Sequence, residues 1–278
     1  MDNRATVTIR LNREKAIEAA LEAAAAAARV LLDRSEPHER AALKQWMKSP
    51  GALVTEADIE SDRVISETLK RAGVPGRILS EESRSGRASD ELTWLIDPLC
   101  GTVPYSTGMQ HWGLNIALRR GGTLELAVLA LPTLGETLSA VIGKGVKMNG
   151  RRWSPRAPGT RLSDVAVGLE VDGGEMWKKL LKRGLGWVPE CGQVNTFASA
   201  AYPLGLVCLG RLSAFVIYGG EPVHIAAGAA IALELGLEVT DGKGGPVDWS
   251  GDGELPCMVV GWPEVHAQLM EAMRRARS

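Results

Sequence analysis

Two short apolar segments that each end at a carboxylate constrain the fold most strongly. Residues 78–80 are followed by Glu81 and Glu82, and residues 93–96 are followed by Asp97. Short apolar runs bounded by polar residues are typical of buried strands. The pattern therefore predicts a sheet in which two strand ends bring these carboxylates to one functional edge.

Helical patterns and turn signals surround these strands. Residues 11–32 are rich in strong helix formers, with Asn12 as the candidate N-cap. A second helical pattern over residues 57–71 begins after Thr55. Residues 114–141 are β-rich and interrupted by glycines, which indicates an antiparallel meander. The second half alternates predicted strands and helices. The strands are 165–170, 214–218 and 258–260, and the helices are 174–183, 199–209, 223–236 and a terminal one.

The best candidate boundary between two halves is the segment 154–160, which carries two prolines and a glycine. We expect residues 1–153 to hold the strand-end carboxylates and Cys100, and residues 154–278 to hold His224. A chain of 278 residues can bury a large core. The two halves are therefore expected to pack as one compact unit.

Charge and cysteine content restrict the partners and the compartment. A formal net charge of −1 gives no general electrostatic footprint for nucleic acid or an anionic membrane, so a small-molecule substrate is expected. The N-terminus shows no export signal, and no apolar stretch is suited to span a bilayer. The cysteines form no Cys-x-x-Cys pair, which favours a reducing cytoplasm; they are Cys100, Cys191, Cys208 and Cys257.

Several motifs agree in order and spacing with one enzyme family. They are Val54-Thr55-Glu56-Ala57-Asp58, Ser80-Glu81-Glu82-Ser83, Asp97-Pro98-Leu99-Cys100-Gly101-Thr102, the glycine hairpin around Gly143-Lys144-Gly145, and Pro222-Val223-His224-Ile225-Ala226-Ala227-Gly228. Together they resemble the inositol monophosphatase family of metal-dependent sugar phosphatases over roughly residues 15 to 275. The resemblance implies a layered α/β sandwich with alternating α-β-α-β-α layers, and a homodimer.

The resemblance also implies roles for individual residues. Glu81, Asp97 and the carbonyl of Leu99 match the first magnesium site of the family. The second site would be held by Asp97 with Cys100 and His224, at two positions where the family has aspartates. Asp58 and Thr102 match residues that orient the attacking water, and Glu82 supports the site.

The residues at positions that bind substrate in the family differ in this chain. Ile217 stands where relatives that take inositol phosphate have an acidic residue, and Asn195 stands where an arginine is familiar. Inositol monophosphate is therefore not expected as the substrate. Tyr105, His111 and Trp112 follow the Gly101-Thr102 turn; core packing is the default interpretation for such rings, and a substrate pocket less polar than a sugar phosphate site is the alternative.

Three functions can be built on Cys100 and His224. The leading hypothesis is hydrolysis or acyl transfer, in which His224, a neutral imidazole at a helix start, deprotonates a Cys100 nucleophile and no cofactor is required. A second hypothesis is a phosphomonoester phosphatase in which Asp97, Cys100 and His224 hold zinc or another transition metal beside a magnesium at Glu81 and Asp97. The third is a non-catalytic relative that binds a ligand or a partner.

Overall fold

The computed structural model describes residues 11–49, 52–85, 91–171 and 184–277. The helices are α1 (Arg13–Ser35), α2 (Pro37–Ala42), α3 (Glu56–Arg71), α4 (Thr102–Thr107), α5 (Ala201–Cys208), α6 (Pro222–Glu234) and α7 (Pro263–Arg275). The strands before the predicted boundary are β1 (Gln45–Ser49), β2 (Ala52–Thr55), β3 (Arg77–Ser80), β4 (Arg84–Ser85), β5 (Leu92–Cys100), β6 (Gly113–Arg120), β7 (Thr123–Leu131), β8 (Glu136–Val141), β9 (Val146–Met148) and β10 (Arg151–Trp153). Those after it are β11 (Ala166–Val171), β12 (Gln193–Asn195), β13 (Ala214–Tyr218), β14 (Glu238–Asp241) and β15 (Met258–Gly261).

The first helices form where sequence caps predict them. Asn12 accepts a hydrogen bond from the backbone N–H of Lys15 at the start of α1. Thr55 and Asp58 form a capping box at the start of α3, in which each side chain satisfies backbone groups of the first turn. Helices α1 and α3 pack against one another and against one face of the larger sheet.

The larger sheet has eight strands in the order β10-β9-β8-β7-β6-β5-β3-β4. Strands β6, β7 and β8 are antiparallel neighbours, which confirms the predicted meander. Strand β5 is buried along its whole length and is longer than predicted, since it runs past Asp97 to Cys100. Asp97 therefore lies within a strand and not at its end. The pairing of β5 with β6 shifts register between Asp97 and Cys100, and such a bulge bends the strand locally and re-aims its side chains.

The smaller sheet has five strands in the order β12-β11-β13-β15-β14. Helices α5 and α6 lie between the two sheets, and α7 covers the outer face of the smaller one. The layers are therefore α-β-α-β-α, which confirms the predicted fold class. One buried apolar cluster joins side chains of the larger sheet, α5, α6 and the smaller sheet. The division into two halves at residues 154–160 remains a prediction.

Some elements were not anticipated from the sequence. The hairpin of β1 and β2 and the short helix α2 lie between the two predicted N-terminal helices, where no strand was expected. The helix predicted over residues 174–183 lies outside the described residues. None of the helices in the described part of the chain has the length and apolar character needed to cross a membrane.

Candidate active site

The centre of the site is the bulged end of β5, and Asp97 is its most buried carboxylate. Asp97 has no exposed surface. Its Oδ1 accepts a hydrogen bond from the backbone N–H of Leu99 at 3.2 Å, and its Oδ2 lies 2.6 Å from Nδ1 of His224. The bulge thus directs the Asp97 carboxylate towards the start of α6.

His224 lies in the first turn of α6 and reaches across to the larger sheet. The side-chain amide of Asn115, which is the cross-strand partner of Asp97 on β6, donates to the carbonyl of His224 at 2.9 Å. Burial lowers the pKa of His224, but the Asp97 carboxylate outweighs it and the pKa is raised well above its usual value. The direction of this shift opposes the expectation of a neutral imidazole, which considered the partial positive charge of the helix start but not the Asp97 carboxylate.

Cys100 ends the same bulge, and its sulfur is enclosed. The thiol is 5% exposed, and the backbone N–H groups of Ala200 and Ala201 each point to Sγ at 3.2 Å. Burial, and then the charge of Asp97, raise the pKa of Cys100 to about 12 despite the hydrogen bonds from His224 and Ala201. The thiol is therefore neutral at ordinary pH.

Glu81 and Glu82 follow β3 and contact a lysine of the β1–β2 hairpin. Lys48 is ion-paired with Glu82, and its Nζ lies 3.6 Å from Glu81. Glu81 Oε2 lies 3.9 Å from Nδ1 of His224. Burial, and then the charge of Asp97, raise the pKa of Glu81 to about 8. Glu81 and Asp97 therefore destabilise one another as anions, which a cation between them would relieve.

Asp58 and Thr102 form a second polar pair beside the carboxylates. Thr102 Oγ1 donates to Asp58 Oδ1 at 2.8 Å, and Asp58 Oδ2 accepts from the Thr55 backbone N–H at 2.8 Å. Burial raises the pKa of Asp58, although the hydrogen bonds from Thr55 and Thr102 act against the shift. Since the hydroxyl proton of Thr102 is held by Asp58, the Thr102 oxygen is oriented to accept a hydrogen bond from another molecule.

Two of the three predicted pocket residues belong to the core instead. Tyr105 and Trp112 are 1% and 2% exposed, and their rings pack edge to face with centroids 5.1 Å apart. The Tyr105 hydroxyl donates to the carbonyl of Leu31. Neither side chain lines an opening, so their assignment to a substrate pocket is corrected to packing. His111 is half-buried and contacts other aromatic rings.

Sequence reasoning missed three contributors to the site. Lys48 sits in an unpredicted hairpin, Asn115 looked like an ordinary strand residue, and the amides of Ala200 and Ala201 are backbone groups. Only Asn115 gave a signal in the sequence. An amide side chain within an otherwise apolar strand needs a polar partner when it is buried, and it therefore indicates a polar site nearby.

The donor atoms suit two different kinds of metal. Side-chain donor atoms of Asp97, Cys100 and His224 all lie within 4.8 Å of one another. One oxygen, one sulfur and one nitrogen are ligands that zinc accepts, whereas magnesium prefers oxygen. Glu81, Asp97 and the carbonyl of Leu99 offer oxygen alone. The residues therefore fit magnesium beside Glu81 and a softer metal beside Cys100, provided that the His224 proton leaves.

Comparison with known proteins identifies the family. The model of the inositol monophosphatase family matches residues 12–278. This chain belongs to the inositol monophosphatase family. It is 31% identical over 210 residues to Nus factor SuhB of Pasteurella multocida, covering 73% of this chain and 77% of that protein. The match to this family confirms the resemblance drawn from the motifs.

Solved structures of family members have the same fold. The extragenic suppressor protein suhB of Bartonella henselae superposes with a TM-score of 0.82 at 25% identity, covering 93% of this chain and 98% of that one. An IMPase of Thermotoga maritima gives a TM-score of 0.78 at 23% identity, covering 94% and 97%. The second comparison supports the fold alone.

These findings overturn the leading functional hypothesis. The relatives are inositol monophosphatases and Nus factors, and they do not support a Cys100 nucleophile with a His224 base for acyl transfer. The structure supplies a physical reason, since the sulfur of Cys100 is enclosed, burial raises the pKa of its thiol, and Asp97 raises the pKa of His224, which opposes its role as a base. The hydrolase class and a small-molecule substrate fit the family. Because relatives are named Nus factors, the expectation that nucleic acid is not a partner has no support.

Proposed function

We propose that this chain is a metal-dependent phosphomonoester phosphatase with an altered second metal site. The observation that carries the proposal is the convergence of Asp97, Cys100 and His224 donor atoms within 4.8 Å of one another, beside the carboxylate of Glu81. Glu81, Asp97 and the Leu99 carbonyl would hold magnesium, and Asp97, Cys100 and His224 would hold zinc or a similar metal. Bound metals would polarise the phosphoryl group and stabilise the leaving oxygen.

The protein's own residues would orient the nucleophile. Asp58 holds the hydroxyl proton of Thr102 at 2.8 Å, so the Thr102 oxygen can accept a hydrogen bond from a water molecule and fix its direction of attack. Asp58 itself is held by the capping box of α3, whose two bonds from Thr55 prevent its rotation. The α3 cap therefore also orients the water.

The proposal is tested by metal content and turnover together. Purified protein would be analysed for bound metals and then assayed on a panel of phosphomonoesters with magnesium, manganese or zinc, before and after chelation. We expect hydrolysis that chelation abolishes, and Asp97→Asn should abolish it as well. The double variant C100D/H224D supplies oxygen ligands at both altered positions and should shift the metal preference towards magnesium. Absence of turnover with every metal, in both parent and double variant, would overturn the proposal.

A Nus-factor role without turnover is the second candidate. Relatives carry that name, and Lys48 and His224 already neutralise Glu82 and Asp97 with cations of the chain itself. The negative charges of Glu82 and Asp97 can thus be balanced without a metal ion. Metal-free protein whose unfolding temperature does not change with magnesium or zinc, and which hydrolyses none of the panel, would favour this candidate.

A further inference from the structure

Three aromatic rings form a half-buried cluster near the bulge of β5. The rings of His111, Phe197 and Tyr202 have centroids 5.0 to 5.6 Å apart in every pairing. Each of these residues is half-buried, so part of its surface remains accessible. Rings at such distances attract one another, and their accessible surface can pack against a further ring.

The cluster adjoins the proposed catalytic residues through short contacts. Ser199 Oγ accepts from the backbone N–H of Tyr202 at 3.2 Å and donates to the carbonyl of Cys100 at 2.9 Å. The backbone of His111 also packs closely against this turn, because a Cβ placed on Gly101 would lie 2.9 Å from the main-chain carbonyl oxygen of His111. Gly101 has a φ of 106°, a conformation that other residues rarely adopt. The rings are therefore tied to both sides of the Cys100-Gly101 turn.

The backbone that carries Phe197 is fixed in an unusual conformation. Ala198 has a φ of 52°, which is uncommon for a residue with a side chain. The Glu170 carboxylate compensates, since it accepts hydrogen bonds from the N–H groups of both Phe197 and Ala198. The half-buried Glu170 carboxylate thus fixes the backbone that carries Phe197 before any ligand arrives, which reduces the entropic cost of binding.

Polar recognition of a sugar is reduced in the same region. Ile217 is 3% exposed and lies beside Glu170 on the neighbouring strand, so it offers no hydrogen bond. The carboxylate of Glu170 is already bonded to the backbone of residues 197 and 198. Neither the Ile217 side chain nor the bonded Glu170 carboxylate is therefore well suited to bind substrate hydroxyls.

We propose that the cluster of His111, Phe197 and Tyr202 binds an aromatic ring of the leaving group, so that the substrate is a phosphomonoester of an alcohol carrying such a ring. This inference rests on the proposed phosphatase function. Contacts between rings depend on the electron distribution of the ring and not only on its apolar area. A saturated ring of the same size should therefore bind less well.

The test compares benzyl phosphate with cyclohexylmethyl phosphate, which release similar primary alcohols and differ only in the ring. We expect kcat/KM to favour benzyl phosphate by about threefold to tenfold in the parent protein. In F197L/Y202L, which keeps apolar side chains but removes two rings, that ratio should fall severalfold, towards the intrinsic ratio set by the slightly better leaving ability of benzyl alcohol. The control L233A removes an exposed apolar side chain at the far end of α6 and should keep the parental ratio.

A second measurement separates this inference from the proposed function. Saturation-transfer NMR of the metal-free protein with benzyl alcohol, and with cyclohexylmethanol, reports ring binding without turnover. Stronger transfer to benzyl alcohol that F197L/Y202L removes would support the ring site even if no phosphatase activity is found. Equal kcat/KM for both esters, or equal transfer to both alcohols in an otherwise active enzyme, would overturn the ring site and leave the phosphatase proposal standing.

Discussion

Nδ1 of His224 lies 2.6 Å from Oδ2 of Asp97, a residue 127 positions earlier in the chain. The bond joins α6 to β5 of the larger sheet. The carboxylate has no exposed surface, so the imidazole proton is its counter-cation at this atom. A titratable cation therefore occupies a position where the family resemblance implies a metal ligand, which couples protonation to metal binding.

The first prediction concerns the protonation of His224. Because Asp97 raises its pKa well above the usual value, the imidazole should remain protonated at neutral pH in the metal-free protein. NMR titration of the histidine ring protons would measure this. His266 is an internal control, since burial lowers its pKa despite the opposing charge of Glu238. Asp97→Asn should lower the pKa of His224, because burial would then act without the carboxylate. A His224 that titrates at or below its usual value in the parent would contradict the ion pair.

The second prediction is that metal-free protein loses stability as pH rises from about 6.5 to above 8. Both Glu81, with a pKa of about 8, and His224 bind protons more tightly in the folded state than in the unfolded state. Their contribution to the free energy of unfolding is therefore fully present below their unfolded pKa values and is lost as pH rises through their folded ones. Urea unfolding at a series of pH values would measure the slope.

Matched variants show which groups cause this dependence of the unfolding free energy on pH. Glu81→Gln and His224→Gln should each reduce it, because each removes one group that is protonated in the folded state. Glu60→Gln changes a carboxyl group on the exposed side of α3 that pairs with Arg34, and it should leave the slope at high pH unchanged. Stability that rises over this range in the parent would mean that neither pKa is raised.

The third prediction is that Cys100 resists thiol reagents in the folded protein. Its side chain is 5% exposed and its pKa is about 12, so almost no accessible thiolate exists at pH 8. Cys191 is half-buried with a pKa of about 11 and should react first. Mass spectrometry after timed alkylation would give the order of reaction, and Cys191→Ser should remove the fast phase. Rapid alkylation of Cys100 in folded protein would contradict the enclosed sulfur.

The sequence predicted the layers of the fold better than the details of the site. Caps such as Asn12 and Thr55 act within a few residues, so α1 and α3 could be located from local chemistry alone. The bulge after Asp97 depends instead on pairing with β6, and the strand was therefore predicted too short. The raised pKa of His224 was not anticipated for a similar reason, because its decisive partner Asp97 lies in a distant segment. The strand pattern brought Glu81 and Asp97 to one edge of the sheet, whereas Cys100 and His224 were placed beside each other only through the family motifs.

The fourth prediction concerns Thr102 and holds if the chain is a phosphatase. Thr102→Val removes the hydroxyl that Asp58 orients, so kcat should fall by about a hundredfold with little change in KM. Thr102→Ser keeps the hydroxyl and should recover most of the rate. Steady-state kinetics at saturating metal would distinguish the two variants. Equal loss in Val and Ser variants would mean that packing of the methyl group, and not the hydroxyl, matters.

The fifth prediction concerns Arg119, which ties the segment before β15 to the larger sheet. Its side chain is 3% exposed, is ion-paired with Asp252 and donates to the carbonyl of Trp249 at 2.7 Å. Arg119→Met should lower the free energy of unfolding by about 3 kcal/mol, because the Trp249 carbonyl and Asp252 lose a buried partner. Arg211→Met is the matched control, since Arg211 is 48% exposed in its pair with Glu136 and should cost less than about 1 kcal/mol. Urea denaturation of both variants would measure the difference. Similar losses in the two would show that burial of Arg119 adds nothing to its ion pair.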